Sequence, residues 1–294
     1  MTRHLVFVHG RAQEGKESIG LKQEWIRAWR DGLAKSGLQI PLDDAQIRFP
    51  YYGDTLVQMV SGRSAAEADQ VVVRGPQLLA EQEFMREYLA QVQARVAITD
   101  AAVSAELNAA INERGVLNWD WVQALLSALD KNVPLASSAS VALFTQDVFQ
   151  SLNVNAIRST MDAGVLSAFS PGVETVVVAH SLGTVVAYNV LRHAAAGALN
   201  VPLFMTLGSP LGVHVIKKAI RPIDHPGCVG HWFNAMDERD VVALFPLNSG
   251  NFDVTPAIEN KTDVDNPTAN RHGITGYLGD PVVAKRIYDA LLKP

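Results

Sequence analysis

The sequence predicts an α/β protein with a mainly parallel central sheet flanked by helices. Short apolar runs, such as residues 5–8 and 176–178, indicate buried strands. These runs alternate with amphipathic helical patterns, such as the one over residues 21–33, where apolar side chains recur at helical spacing. Because strands that alternate with helices form parallel sheets with right-handed crossovers, we expect that architecture here.

A long helical segment interrupts this alternation. Between residues 55 and 170 strand signals are scarce, and stretches rich in Ala, Leu, Glu and Gln follow one another. A structureless loop of this length is uncommon in a compact domain, so the segment is predicted to be a folded insertion. We therefore expect an α/β core formed by residues 1–54 and 171–294, with residues 55–170 as a helical cap or lid over it.

Apolar runs, glycines and prolines divide the rest of the chain into elements. The predicted strands are residues 5–8, 47–52, 176–178, 202–207 and 229–235. The predicted helices are residues 21–33, 77–96, 119–129, 141–161 (one or two helices), 184–195 and 282–292. Residues 248–270 are polar and rich in turn-forming residues, so they are predicted to form turns.

Composition argues against several function classes. The chain of 294 residues carries a net charge of −5, which provides no basic surface for nucleic acid. Cys228 is the only cysteine, so no intrachain disulfide can form, which fits a reducing compartment. The first apolar run is too short for a secretory signal, and no run reaches the roughly 18 residues of a membrane span. We therefore expect a soluble, cytoplasmic protein with no transmembrane segment and no nucleic-acid partner.

Ser181 has the local setting of a nucleophile. It follows a run of valines that predicts a buried strand, and a helical pattern begins shortly after it. A strand, a sharp turn with a central serine and a helix form the elbow of Gly-x-Ser-x-Gly sequences. The strained elbow needs small residues two positions before and after the serine. Gly183 satisfies the second position, and Ala179, the next smallest residue type, stands at the first.

A histidine and an acid follow Ser181 in the order that a catalytic triad requires. A serine hydroxyl needs a base to take its proton, and the base is usually a histidine oriented by a carboxylate. In hydrolases with such an elbow the chain order is Ser, then Asp or Glu, then His. Asp237 and Asp240 both follow the predicted strand 229–235, and we favour Asp240 because the valines after it can pin its loop against the core. His272 is predicted to be the base because, of the eight histidines, it alone follows these acids.

Two backbone N–H groups are predicted to form an oxyanion hole. The first strand opens into His9-Gly10, and hydrolases of this kind place one donor at such a turn, here the N–H of Arg11. The second donor is the N–H of Leu182, directly after the nucleophile. The chain shows neither the spacing of metal ligands nor a glycine-rich nucleotide motif, so we predict no metal site and no cofactor.

Together these motifs resemble the α/β-hydrolase superfamily and, more narrowly, lipase-like bacterial serine esterases related to the LCAT-type hydrolases. The resemblance covers residues 5–53 and 175–292 and leaves the helical insertion out. The residues that carry it are 7–10, 178–184, 206–211, 232–234 with Asp240, and His272 ahead of Tyr277 and Leu278. The resemblance implies an α/β-hydrolase fold and ester hydrolysis.

The predicted function is that of a carboxylic-ester hydrolase. Ser181 attacks the ester carbonyl, His272 takes and returns the proton, and Asp240 orients His272. A lid with an apolar inner face suits a lipid-like or acyl ester as the small-molecule substrate. Two alternatives stay open at this point. One is a catalytically silent α/β-hydrolase fold that binds a ligand or partner, and the other is an amidase or thioesterase with the same triad.

Overall fold

The computed structural model of the protein describes residues 3–10, 18–51, 79–114, 120–132, 138–268 and 270–292. In these ranges six strands form one sheet: β1 (His4–Val8), β2 (Ile47–Arg48), β3 (Thr175–His180), β4 (Phe204–Leu207), β5 (Trp232–Ala235) and β6 (Glu259–Lys261). The strand order is β2-β1-β3-β4-β5-β6, and every neighbouring pair is parallel. The prediction of a parallel central sheet is therefore confirmed.

Helices flank this sheet. Those that the described ranges contain are α1 (Ser18–Ala34), α2 (Leu79–Arg95), α3 (Asp100–Arg114), α4 (Asp120–Asn132), α5 (Ser138–Asn153), α6 (Asn155–Leu166), α7 (Leu182–His193), α8 (His214–Ala219), α9 (Ile274–Leu278) and α10 (Pro281–Leu292). None of them is both long enough and apolar enough to span a bilayer.

The sheet is buried on both faces. Successive residues of a strand point to opposite sides, and each side packs into a hydrophobic core. In β3, Val177 and Ala179 belong to one hydrophobic core, whereas Val176 and Val178 belong to the other. Helices α1, α9 and α10 contribute to the core with Val176, and helices α2 to α8 contribute to the core with Val177. Burial on both sides explains why the central strands have continuous apolar sequences.

Helix α1 confirms the helix predicted over residues 21–33. The apolar stripe of this helix faces the sheet, with Trp25 and Trp29 fully buried. The Trp25 ring packs against Phe7 of β1, with ring centroids 5.2 Å apart. This tryptophan stripe therefore stabilises the sheet from one side.

Helices α2 to α6 pack on the opposite side of the sheet. Phe84 and Val148 belong to the same continuous core as Val8 of β1. Helices α5 and α6 also contact α7, the helix that follows β3. The helical segment thus lies close to the carboxyl end of β3.

Several elements differ from the sequence prediction, among them helices α8 and α9, which were not predicted. Strand β2 ends at Arg48, and Pro50, which has no N–H to donate to a ladder, follows it. Tyr52, the predicted end of that strand, lies outside the described residues. Strand β6 lies within the predicted turns and pairs with β5 from Phe233↔Glu259 to Ala235↔Lys261. Helix α3 was not predicted as a separate element.

Candidate active site

Ser181 stands between β3 and α7 in a strained backbone conformation. Its φ of 57° and ψ of −132° lie outside the regions that residues with a side chain favour. The Ser181 N–H donates to the Leu207 carbonyl at 3.1 Å. The N–H and the hydroxyl of Thr184 donate to the Ser181 carbonyl at 2.9 and 2.7 Å. A strained turn held in this way presents a serine hydroxyl at the carboxyl edge of a parallel sheet.

Two glycines allow the chain to pass close to this turn. A Cβ atom on Gly10 would lie 2.7 Å from the Ser181 Cβ and 3.2 Å from its Oγ. A Cβ atom on Gly183 would overlap the carbonyl oxygens of Val8 and His9. The end of β1 therefore lies directly beside the serine, where a larger residue than glycine does not fit.

The structure describes one of the two predicted oxyanion donors, Leu182. Leu182 is the first residue of α7, where a backbone N–H has no partner within its own helix. This N–H can therefore donate to a group bound at Ser181. Arg11, the other predicted donor, lies outside the described residues.

Ser181, His272 and Asp240 form a continuous hydrogen-bonded chain. The His272 Nε2 atom lies 2.7 Å from the Ser181 Oγ, and the His272 Nδ1 atom lies 2.7 Å from the Asp240 Oδ2. Because a carboxylate accepts hydrogen bonds, Nδ1 carries the proton, and Nε2 presents its lone pair to the serine hydroxyl. In this tautomer His272 can take the proton of Ser181.

The Asp240 carboxylate is buried among hydrogen-bond donors. Its Oδ1 accepts from the backbone N–H groups of Val242 and Ala243 at 2.8 and 3.3 Å. Its Oδ2 accepts from the Tyr277 hydroxyl at 2.6 Å as well as from His272. These donors offset the cost of taking a carboxylate out of water, and they fix its orientation.

Asp237, the alternative acid, bonds to a different part of the loop. Its Oδ1 accepts from the Arg239 N–H at 2.8 Å, and its Oδ2 accepts from the Asn266 N–H at 2.9 Å. The Arg239 guanidinium also contacts the Asp237 carboxylate at 3.3 Å. The structure therefore brings Asp240 to His272, whereas Asp237 joins the loop after β5 to the segment that leads towards His272.

His180 packs against His272 and holds its backbone. The His180 Nε2–H donates to the His272 carbonyl at 2.7 Å, and the two ring centroids are 4.7 Å apart. Burial, reinforced by the nearby His272, lowers the pKa of His180 to about 3, so the ring is neutral near pH 7. A neutral ring places no second positive charge beside His272 when that base takes a proton. No sequence pattern indicates this contact, because it joins positions 92 residues apart.

His9 is a second neutral histidine near the serine. Its ring stacks on Phe49, with centroids 5.4 Å apart and an interplanar angle of 13°. Burial lowers the pKa of His9 to about 4, although a hydrogen bond to the Gly10 carbonyl acts in the opposite direction. His9 therefore packs at the end of β1 without adding charge to the site.

Helix α5 contacts the hydrogen-bonded chain at His272, and helix α2 packs on α5 at that point. Phe144 of α5 lies edge-on to the His272 ring at a centroid distance of 6.4 Å, and Tyr88 of α2 packs on Phe144 at 5.9 Å. Ser181 is only 4% exposed. The helical segment thus supplies an aromatic surface, formed by Phe144 and Tyr88, next to His272.

Gly208, at the end of β4, makes room for the histidine. It has a φ of 55°, and a Cβ atom there would lie 3.1 Å from the His272 Nδ1 and 3.0 Å from the Tyr277 Cε2. A side chain at this position would press on the imidazole that bonds to Asp240, and it would also be strained by the positive φ. Sequence reasoning missed this requirement, because the glycine and the histidine meet only in the folded chain.

No family model matches this chain, and comparison with curated proteins finds no match either. Among the described residues, no group of three or more His, Cys, Asp or Glu side chains is placed to hold a metal ion. The chemistry of the site therefore follows from its own geometry.

Proposed function

We propose that this protein is a serine hydrolase with an α/β-hydrolase fold that cleaves carboxylic esters through an acyl-enzyme. The observation that carries the proposal is the chain of two 2.7 Å hydrogen bonds from the Ser181 Oγ through His272 to Asp240. The serine of this chain has a backbone conformation that costs on the order of 1–3 kcal/mol. Strain and a buried polar chain at the same residue fit a chemical role for Ser181 better than a purely structural one.

The proposed reaction begins with attack of the Ser181 Oγ on the ester carbonyl carbon. His272 Nε2 takes the hydroxyl proton, and the carbonyl electron pair moves onto the oxygen, which accepts a hydrogen bond from the Leu182 N–H. Asp240 stabilises the protonated imidazole through Nδ1–H. Collapse of the tetrahedral intermediate breaks the ester bond, and His272 gives the proton to the departing alcohol.

The second half of the reaction releases the acyl group. A water molecule, which loses a proton to His272, attacks the acyl carbon of the acyl-enzyme. The resulting intermediate breaks its bond to the Ser181 Oγ, and His272 returns the proton to that oxygen. The products are an alcohol and a carboxylic acid, and the enzyme regains its starting state.

The aromatic surface next to His272 supports an apolar substrate. Both residues of this surface belong to the helical segment: Phe144 contacts His272, and Tyr88 packs on Phe144. We therefore propose that residues 55–170 act as the lid and that the substrate is a lipid-like or other acyl ester. The proposed cytoplasmic location rests on the single cysteine, Cys228.

A fluorophosphonate probe and a panel of p-nitrophenyl esters test this proposal. The wild-type protein is expected to be labelled at Ser181 and to hydrolyse esters, and Ser181→Ala is expected to lose both properties. Ser167→Ala is the matched control, because the Ser167 hydroxyl is exposed and donates to the Gly164 carbonyl of its own helix end. A wild-type protein that stays unlabelled would indicate a silent fold. If the protein is labelled but hydrolyses amides or thioesters and no esters, the bond that it cleaves is not a carboxylic ester.

A further inference from the structure

We propose that Tyr277 is a positioning residue of this site, whose hydroxyl holds the Asp240 carboxylate and tunes how strongly His272 retains a proton. The inference rests on the proposed function, since it assigns a fourth member to the same hydrogen-bonded chain. Tyr277 belongs to α9, which begins two residues after His272. The same short segment therefore supplies the base and a donor to the acid.

The direction of the Tyr277 hydrogen bond follows from its two partners. The hydroxyl oxygen accepts from the Asp237 N–H at 3.2 Å. A backbone N–H can only donate, so the single phenolic proton is free to point to the Asp240 Oδ2, which lies 2.6 Å away. Hydrogen bonds from a hydroxyl to a carboxylate at this distance are among the strong ones in proteins.

Tyr277 keeps its proton throughout the ordinary pH range. Burial and the neighbouring Asp240 raise the pKa of this phenol well above its usual value. In the described part of the chain, the titratable and charged groups near His272, Asp240 and the phenol include His180, Tyr88, Asp237, Arg239 and Arg271. His180 is neutral near pH 7 and Tyr88 is protonated, because burial moves the pKa of each in that direction.

One carboxylate oxygen is shared by the phenol and the base. Asp240 Oδ2 accepts from the Tyr277 hydroxyl and from His272 Nδ1. A hydrogen bond from the phenol makes Oδ2 a weaker acceptor for the imidazole. The Tyr277 bond therefore lowers the affinity of His272 for a second proton. It also stops the carboxylate from rotating away from His272. A merely structural phenol would fill the same space without affecting the protonation of the base.

Tyr277→Phe separates these two roles, because it removes the hydroxyl and keeps the ring. We expect the acid limb of the kcat/KM profile to move to higher pH by roughly 0.5–1 unit, since Asp240 then stabilises the protonated imidazole more strongly. We also expect kcat to fall about tenfold while KM stays unchanged, because a carboxylate that is free to rotate holds His272 less well in the geometry of the transition state.

Tyr188→Phe is the matched control. Tyr188 is also fully buried, and its hydroxyl bonds to the backbone carbonyl and N–H of Asp224, both at 3.0 Å. The Tyr188→Phe substitution removes a comparable buried hydroxyl that bonds to Asp224 and not to Asp240. It is therefore expected to leave the pH of the acid limb unchanged. An equal displacement of the acid limb in both variants would overturn the role of Tyr277.

A second variant, expected to move the acid limb in the opposite direction, keeps the proposal testable even if Tyr277→Phe misfolds. Site-specific 3-fluorotyrosine at position 277 gives a more acidic phenol, hence a stronger donor to Asp240, and is expected to move the acid limb to lower pH. An acid limb that stays at the wild-type position in both Tyr277 variants would overturn the proposal.

A second measurement does not depend on turnover. The NMR titration of the His272 imidazole is expected to follow the same order, with Tyr277→Phe highest in pKa and the fluorotyrosine variant lowest. If the wild-type protein shows neither labelling nor hydrolysis, the proposed function fails. The titration still decides whether Tyr277 controls the proton on His272, and equal values in the three proteins would reject that control.

Discussion

Asp240→Asn is the most informative single substitution, because the hydrogen bonds of the carboxylate determine how an amide must sit. Oδ1 faces the N–H groups of Val242 and Ala243, and Oδ2 faces two further donors, His272 and Tyr277. An amide has one accepting oxygen and one donating nitrogen. Its NH2 group cannot face the Val242 N–H at 2.8 Å, because two donors would meet there. The NH2 group therefore turns towards His272.

The consequence is a change of tautomer. Facing a donor, His272 Nδ1 must accept, so its proton moves to Nε2, which can no longer take the proton of Ser181. In serine hydrolases with a triad, the wrong tautomer lowers kcat about 10⁴-fold, or on the order of 5 kcal/mol of transition-state stabilisation. We expect a loss of this size in kcat/KM for p-nitrophenyl esters and a parallel loss in the rate of fluorophosphonate labelling.

Asp237→Asn provides the comparison. Asp237 contacts Arg239 and Asn266, so its amide variant is expected to lower stability while kcat/KM falls less than about tenfold. Thermal denaturation distinguishes loss of fold from loss of chemistry in both variants. Folded Asp240→Asn with near wild-type activity, or a larger loss in Asp237→Asn, would refute this reasoning.

Two further predictions concern the aromatic surface and the buried histidines. Phe144→Leu is expected to shift the preferred acyl chain to greater length, because the ring edge beside His272 is replaced by a smaller side chain. Phe149→Leu is the control, because Phe149 lies on the same helix and its ring packs on Phe84 of α2, whereas the Phe144 ring also contacts His272. An equal shift in both variants would contradict the assignment. The free energy of unfolding is expected to fall as the pH falls below about 6.5. The pKa values of His180 and His9 are about 3 and about 4 in the folded chain, against 6.5 as the ordinary value, so the unfolded chain binds more protons in this window. The expected loss is roughly 2 kcal/mol for each histidine between pH 6.5 and 5, measured by denaturant titration. Equal unfolding free energies at the two pH values would argue against buried neutral rings.

The central strands and α1 could be predicted because burial leaves a local pattern. A strand covered on both faces carries a continuous apolar run, as residues 5–8 of β1 and 176–179 of β3 do. A helix covered on one face repeats its apolar residues every turn, as Trp25 and Trp29 of α1 do. In both cases the pattern lies within a few consecutive residues, so no knowledge of the rest of the fold is needed.

Strand β6 shows where local patterns fail. Its residues, Glu259, Asn260 and Lys261, are polar and half-buried, and nothing in their order resembles a strand. They are extended because β5 offers an unpaired edge beside them. That edge is a property of the assembled sheet, so sequence reasoning assigned the region to turns.

By itself, the sequence determined the α/β class with its parallel sheet, and the chain order of Ser181, the two acids and His272. It favoured Asp240 over Asp237 but could not decide between them, since both acids follow the same strand within one loop. The tertiary structure decided which of them contacts His272, because backbone N–H groups of that loop orient Asp240, whereas Arg239 and Asn266 engage Asp237. It also placed Tyr277 on the carboxylate and Phe144 beside the imidazole. These contacts join segments that are distant in the chain, and only the packing of both cores against the sheet brings them within hydrogen-bonding and ring-contact distance.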